Sequence, residues 1–209
     1  MSDKQIPSFK SRYLPVLILL LLCLFPSVLI AGCSESDEDL CFSTTYTVDT
    51  LEKRGDASLS TINFDKFDDF FTMEEAKNAK NQYENALIAL TSNPTVAACM
   101  GNEAYKVRIM ELNVKYGFLD LFLRYSATDK KVSNMVFEDY PEFQNTLNTV
   151  IKDYEAMRTD VSNLQVAAAG LDQSRIPSTS EAAFNTVKSK LDDVLKDIDY
   201  RLSVLYSYR

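Results

Sequence analysis

The sequence predicts an all-α protein, an up-down antiparallel bundle of about four long helices that follows an N-terminal tether and an extended segment. Three observations lead to this prediction. The 209 residues include only 5 Gly and 6 Pro, so few positions interrupt a helix. Apolar residues recur at intervals of three and four along most of residues 61–209. Capping-box patterns and prolines divide that stretch into segments of helical length.

The chain begins with basic residues followed by an apolar run over 14–30, which is the layout of a secretory signal. The run ends in Leu29-Ile30-Ala31-Gly32-Cys33, which resembles the lipobox of bacterial lipoproteins. The resemblance implies that residues 1–32 are cleaved and that Cys33 carries a diacylglycerol and an acyl chain. Such a protein is anchored to the membrane without spanning it. The alternatives are an ordinary signal peptide or an uncleaved anchor with Cys33 there by chance.

The residues after Cys33 bear on where the lipoprotein goes. Ser34 follows the cysteine, whereas Asp is the usual inner-membrane retention signal at that position in Gram-negative lipoproteins. The resemblance therefore implies the outer membrane, at its periplasmic face or at the cell surface. The acidic run over 34–39 is typical of a solvated tether.

Two cysteines, Cys41 and Cys99, remain outside the leader and the lipobox. Thiols in an oxidising compartment favour a disulfide, so these two are predicted to pair. The alternative is that Cys99 is a small buried apolar residue and Cys41 is unpaired.

Residues 33–60 are predicted to form the lipid-anchored tether and an extended segment, and residues 61–209 the helical bundle. The extended segment, Phe42–Ser60, is rich in Thr, Ser and Asp and alternates briefly between polar and apolar residues. Next, the four phenylalanines in residues 63–71 (NFDKFDDFF) have near-helical spacing. They predict a short amphipathic helix that plugs one end of the core.

The first long helix is predicted to start at the capping box Thr72-Met73-Glu74-Glu75 and to end before Pro94. Pro94 then opens a second helix that runs to about Tyr125. Two adjoining apolar stripes on this second helix predict that it is the central one. Residues 127–139 are interpreted as a connection.

The third helix is predicted to open at Pro141 and to close at Gly170, with an apolar seam that alternates steps of four and three. The last helix follows a second capping box, Ser178-Thr179-Ser180-Glu181. Short links between these helices favour antiparallel neighbours.

Composition excludes several functions. A formal net charge of -8 argues against a nucleic-acid partner, because such binding depends on clustered Lys and Arg. The chain contains no His, which excludes Ser-His-Asp and Cys-His nucleophile systems and His-containing metal sites. We therefore expect no catalytic residue, no metal, and no cofactor beyond the lipid on Cys33.

The main hypothesis is a lipid-anchored, non-catalytic envelope protein that binds another envelope protein as an interaction or assembly factor. Tyr is common at protein interfaces because it offers a large contact area and a polar tip. Tyr200, Tyr206 and Tyr208 cluster at the C-terminus and are the candidate interaction residues.

Two other hypotheses remain open. A small-molecule-binding lipoprotein would use a pocket between helices, lined by Tyr105, Tyr116 and Phe118. A carboxylate-dependent hydrolase of envelope glycans would need two convergent carboxylates. Neighbouring acidic residues such as Asp192 and Asp193 point about 100° apart on a helix and do not converge by themselves.

Overall fold

The computed structural model describes residues 37–66, 69–135 and 140–209. In these ranges the chain is helical and contains no strand, so the predicted all-α class is confirmed. The elements are, in order, α1 (Asp37–Thr61), α2 (Phe70–Thr91), α3 (Pro94–Met100), α4 (Asn102–Ser133), α5 (Tyr140–Ala169), a 3-10 turn (Gln173–Arg175) and α6 (Glu181–Tyr206). Five of the helices described are long, one more than expected.

The additional helix is α1, and the prediction of an extended segment over residues 42–60 is wrong. Its buried side follows a helical spacing through Val48, Glu52, Gly55 and Leu59. Only two of these four are large apolar residues, so the sequence shows no apolar stripe. Gly55 is needed because a Cβ there would come within 2.6 Å of the Tyr83 ring of α2.

Helix α2 begins earlier than predicted, and Thr72 is not its cap. Asp69 occupies the N-cap position, and its carboxylate accepts a hydrogen bond from the Thr72 backbone N–H at 2.9 Å. The predicted apolar stripe is confirmed apart from Leu87, which is half-buried. The buried members are Ala76, Ala79, Tyr83, Ala86 and Leu90.

The predicted continuous helix from Pro94 to Tyr125 is interrupted at Gly101. This residue has φ +81°, a left-handed conformation that glycine adopts readily, and it separates α3 from α4. Helix α4 then continues to Ser133, so residues 127–133 of the predicted connection are helical. It contacts α2, α3, α5 and α6, and ion pairs join it to α1, which confirms that it is the central helix.

The long helices alternate in direction along the chain. Later residues of α4 contact earlier residues of α2 and of α5, so α4 is antiparallel to both. Later residues of α4 contact later residues of α1 and of α6, so α4 is parallel to both. Consequently the start of α1 lies at the N-terminal end of α4, and the end of α6 lies at its C-terminal end.

The predicted helix over the four phenylalanines is not formed. Phe64 lies in a turn, Phe67 lies outside the described residues, and Phe70 and Phe71 begin α2 with 70% and 76% of their surface exposed. The Phe64 ring lies 5.4 Å from the Phe118 ring. Among the phenylalanines of this segment that the structure describes, only Phe64 packs against the core as predicted.

Helix α5 agrees with its prediction, since it starts beside Pro141, ends just before Gly170, and buries the expected seam from Phe143 to Ala168 except for the half-buried Leu164. For α6 the predicted cap at Ser178 is wrong. The helix begins at Glu181 after Ser180, and the Ser180 side chain makes no capping hydrogen bond. None of the described helices is both long enough and apolar enough to cross a membrane.

Candidate functional site

Seven polar side chains, from α1, α2, the first half of α4 and the residue before α6, meet inside the protein. We call this cluster the ionic junction. Its members are Glu52 and Asp56 of α1, Tyr83 of α2, Arg108, Glu111 and Lys115 of α4, and Ser180 at the start of α6. Six of the seven are buried, and the Asp56 side chain is only 14% exposed.

Lys115 is the centre of the junction and is completely buried. Its Nζ lies 2.8 Å from Glu52 Oε1, 3.0 Å from Asp56 Oδ1 and 2.9 Å from Glu111 Oε1. Burial favours the neutral amine, but the attraction of Glu111, Glu52 and Asp56 outweighs burial and raises the pKa of Lys115. The side chain is therefore a protonated ammonium group.

Arg108 is the second cation and lies about two turns before Lys115 on the same side of α4. Its guanidinium forms an ion pair with Glu52 and donates to Asp49 Oδ1 at 2.6 Å. The Glu111 carboxylate is more distant, at 3.8 Å. Glu52 thus joins both cations, and it ties α1 to α4 at two points.

The junction contains three carboxylates, from Glu52, Asp56 and Glu111, but only two cations. One negative charge in excess is costly among buried side chains. Burial raises the pKa of Glu111 to about 7, although Lys115 opposes the rise, and the negative charge of Glu52 adds to it.

Glu52 behaves in the opposite way. Burial opposes its ionisation, but the charges of Lys115 and Arg108 outweigh burial and lower its pKa. Of these two buried glutamates, Glu111 is therefore the one that holds a proton as the pH falls below 7.

Two hydroxyl groups complete the junction. The Tyr83 hydroxyl donates to Asp56 Oδ1 at 2.7 Å, and burial together with the Asp56 charge raises the pKa of Tyr83 well above its usual value. Ser180 Oγ contacts Lys115 Nζ and lies 2.6 Å from Glu52 Oε1. Ser180 thereby links the start of α6 to both α1 and α4.

A serine beside a lysine is also the arrangement of Ser-Lys nucleophile systems. In such a system the lysine must be neutral to accept the serine proton. Here three carboxylates keep Lys115 protonated, and Ser180 is only 1% exposed. Glu52 and Glu111 converge, as a carboxylate mechanism would require, but on Lys115 rather than on an open cleft. The geometry suits a joint between helices.

The acidic groups are also candidate metal ligands. No group of three or more Cys, Asp or Glu side chains in the described part of the chain could hold a metal ion. Within the junction, the ammonium of Lys115 occupies the space among the carboxylates.

The structure joins the two predicted cysteines. Cys41 of α1 and Cys99 of α3 form a disulfide with their Cα atoms 6.4 Å apart and a sequence separation of 58. The bond fastens the beginning of α1 to the segment just before α4. Cys33, the predicted lipidation site, lies outside the described residues.

The three candidate interaction tyrosines all lie at the surface, with Tyr200 exposed by 65%, Tyr206 by 43% and Tyr208 by 52%. The Tyr206 hydroxyl donates to Glu155 of α5 at 2.6 Å, which holds it against the neighbouring helix.

The three candidate pocket residues are dispersed along α4. The Tyr105 hydroxyl points to the Leu90 carbonyl at 3.5 Å, the Tyr116 ring lies 5.1 Å below the Lys80 ammonium, and Phe118 is fully buried. A groove of about 330 Å³ lies elsewhere, lined by Phe64, Asp65, Phe122, Tyr125, Lys190, Asp193, Val194 and Asp197.

Sequence reasoning missed the members of the ionic junction, although one signal was present. Arg108, Glu111 and Lys115 follow each other at steps of three and four, as apolar seam residues do, and Phe118 continues the series. Charged residues on a helical seam indicate a buried ion pair when an oppositely charged seam exists elsewhere. Glu52 and Asp56 provide that seam on α1.

No protein-family model, curated protein or solved structure matches this chain. The described residues form an all-helical domain in which buried ion pairs join the central helix α4 to α1, and hydrogen bonds from Tyr83 and Ser180 add α2 and the start of α6 to the same cluster.

Proposed function

We propose that this chain is a lipid-anchored, non-catalytic protein of the bacterial cell envelope that binds another envelope protein through the end of the bundle farthest from its anchor. The lipobox resemblance at residues 29–33 supports the anchor, and Ser34 directly after it supports the outer-membrane location. The buried, protonated Lys115 supports a structural rather than a catalytic role for the polar cluster.

The observation that carries the binding role is a group of exposed aromatic side chains at the C-terminal end of α4. We call it the aromatic end, defined by Phe70, Phe71, Tyr140, Tyr206 and Tyr208. All five are at least 43% exposed, and large exposed rings near one another mark interaction surfaces in soluble domains.

Contacts along α4 show that these residues share one end. Lys80 of α2 pairs with Asp120, and α2 runs opposite to α4, so Phe70 lies about 15 Å farther toward the C-terminus of α4. Arg201 of α6 pairs with Asp129, and α6 runs parallel to α4, so Tyr206 lies beyond that point. Helix α1 starts at the opposite end, beside Cys99.

A photo-crosslinking amino acid at Phe71 in cells tests this role, with Ile88 as the control. Ile88 is 54% exposed on the same helix but lies toward the other end of the bundle. We expect a discrete envelope protein to be captured from position 71 and not from position 88, identified by mass spectrometry. Identical captures at the two positions would contradict the proposal.

The groove between the Phe64 turn, α4 and α6 favours small-molecule binding as a second candidate. Its 330 Å³ is near the lower limit for ligand pockets, and its aromatic rings with three carboxylates against the single lysine, Lys190, suit a small organic cation. A thermal-shift screen with organic amines tests this. A stabilising amine should lose its effect in Asp193→Asn, whereas Asp192→Asn should retain it.

A further inference from the structure

The start of α1 limits how far the bundle can lie from a lipid on Cys33. Because α1 already begins at Asp37, only three residues separate the two positions in the sequence. Four residue steps reach at most about 14 Å even when fully extended. An acylated Cys33 therefore keeps the first turns of α1 close to the bilayer surface.

Two aromatic residues lie on exposed positions of these first turns. Phe42 is 75% exposed and Tyr46 is 67% exposed, and they are four residues apart, so they share one face of α1. Tyr46 lies about 14 Å along the helix from Asp37. Both residues are therefore within reach of a surface that holds Cys33.

The disulfide makes this end of α1 a firm support for the two rings. Cys41 directly precedes Phe42 and is bonded to Cys99 of α3. The first turns of α1 cannot separate from the rest of the bundle while this bond is intact. The rings of Phe42 and Tyr46 would be presented to a nearby surface by the whole domain.

We infer that the α1 face bearing Phe42 and Tyr46 docks on the lipid surface to which the chain is anchored, an inference that rests on the proposed lipid anchor. Aromatic side chains concentrate at the boundary between headgroups and acyl chains, where a ring is buried and a Tyr hydroxyl stays hydrated. Acidic Glu38 and Asp39 lie beside this face, so the matching surface is zwitterionic rather than anionic.

This docking orients the protein. Helix α1 has 25 residues and a length of roughly 37 Å, and it leads from the docked face toward the aromatic end. The membrane-facing rings and the partner-facing rings would thus lie at opposite ends of one rigid support.

The chain contains no Trp, so single Trp substitutions can report on each end without background. Two matched pairs are available. Phe42→Trp is compared with Phe71→Trp, since the two positions are 75% and 76% exposed. Tyr46→Trp is compared with Tyr140→Trp, both 67% exposed. Each full, processed protein is reconstituted into phosphatidylcholine vesicles brominated near the headgroup end of the acyl chain.

We expect bromine quenching at positions 42 and 46 to exceed that at positions 71 and 140 by about twofold or more, with blue-shifted emission. Equal quenching within both pairs overturns the docking. Emission at position 42 that shifts with protein density, without quenching by bromine, also overturns it and shows that a second copy covers this face.

A mass measurement of the N-terminal peptide separates this inference from the proposed function. If the peptide that begins at Cys33 carries no acyl chains, the anchor itself is wrong. If the acyl chains are present and the quenching is equal, only the docking of Phe42 and Tyr46 is wrong.

Discussion

The two halves of α4 present the same helical seam to their neighbours but fill it with different chemistry. The first half carries Arg108, Glu111 and Lys115, which pair with charges on α1. The second half continues the three-and-four spacing with Phe118, Phe122 and Tyr125, all buried. The seam therefore changes from ionic to aromatic within one helix, which shows that a buried helical seam can hold charged residues when their partners lie opposite them.

The halves should differ in what stabilises them. An apolar seam gains stability from area removed from water and is insensitive to pH. An ionic seam depends on every charge keeping its partner, because an unpaired buried charge costs several kcal/mol. Single substitutions can separate the two cases.

The largest effect is expected from Lys115→Met, which leaves Glu52, Asp56 and Glu111 facing one another without their shared cation. We expect the free energy of unfolding to fall by about 3–5 kcal/mol. Urea denaturation followed by circular dichroism measures this change. Lys80→Met is the control, because the Lys80 and Asp120 pair is partly exposed and should contribute about 0–1 kcal/mol. Equal losses for the two variants would contradict the ionic role of the junction.

A somewhat smaller effect is expected from Leu147→Ala in the apolar seam of α5. Leu147 is completely buried, and its truncation should lower the free energy of unfolding by about 3 kcal/mol through lost apolar contact and a cavity. This loss should be the same at pH 5 and pH 8, since no charge is removed. A loss that changes by more than about 1 kcal/mol between these pH values would show that the apolar seam of α5 is coupled to the ionic junction.

The smallest effect is expected from Glu111→Gln, and it should be stabilising. The folded pKa of about 7 lies above the ordinary value of 4.5, so the native state holds this proton more tightly than the unfolded chain. The stability that the proton contributes is complete below about pH 4.5 and is lost as the pH rises to about 7. The neutral Gln avoids that loss.

We therefore expect Glu111→Gln to match the unmodified protein near pH 5 and to exceed it at pH 8 by on the order of 1–2 kcal/mol. Urea denaturation at a series of pH values measures the difference. Glu84→Gln at an exposed position of α2 is the control for removing a carboxylate. A constant difference for Glu111→Gln across the range would mean that Glu111 is ionised throughout.

Sequence reasoning succeeded where burial follows from the residue itself. The seam of α5 and the stripe of α2 consist of apolar residues at helical spacing, and both are buried as expected. The pairing of Cys41 with Cys99 is also confirmed; it was predicted on the expectation that two remaining thiols in an oxidising compartment form a disulfide. Helix ends were less accurate, since Asp69 and Ser180 took positions that the capping patterns assigned to Thr72 and Ser178.

Helix α1 and the ionic junction could not be derived in the same way. Glu52 and Gly55 occupy buried positions of α1 that a stripe of apolar residues would normally fill. Glu52 is stable there because Lys115 and Arg108, some sixty residues later, neutralise it. Gly55 is favourable there because Tyr83 of another helix fills the space.

By itself, the sequence determined the helical class, the apolar seams, the pair of cysteines and the motif that predicts a lipid anchor at Cys33. Only the tertiary structure decided that α1 is a helix, that Lys115 is buried, and that Phe42 on α1 and Phe71 on α2 are both exposed. The physical reason is that apolar burial is favourable wherever water is excluded, whereas burial of a charge is favourable only beside its partner. That partner lies in a distant segment, and its position is known only when the chain is folded.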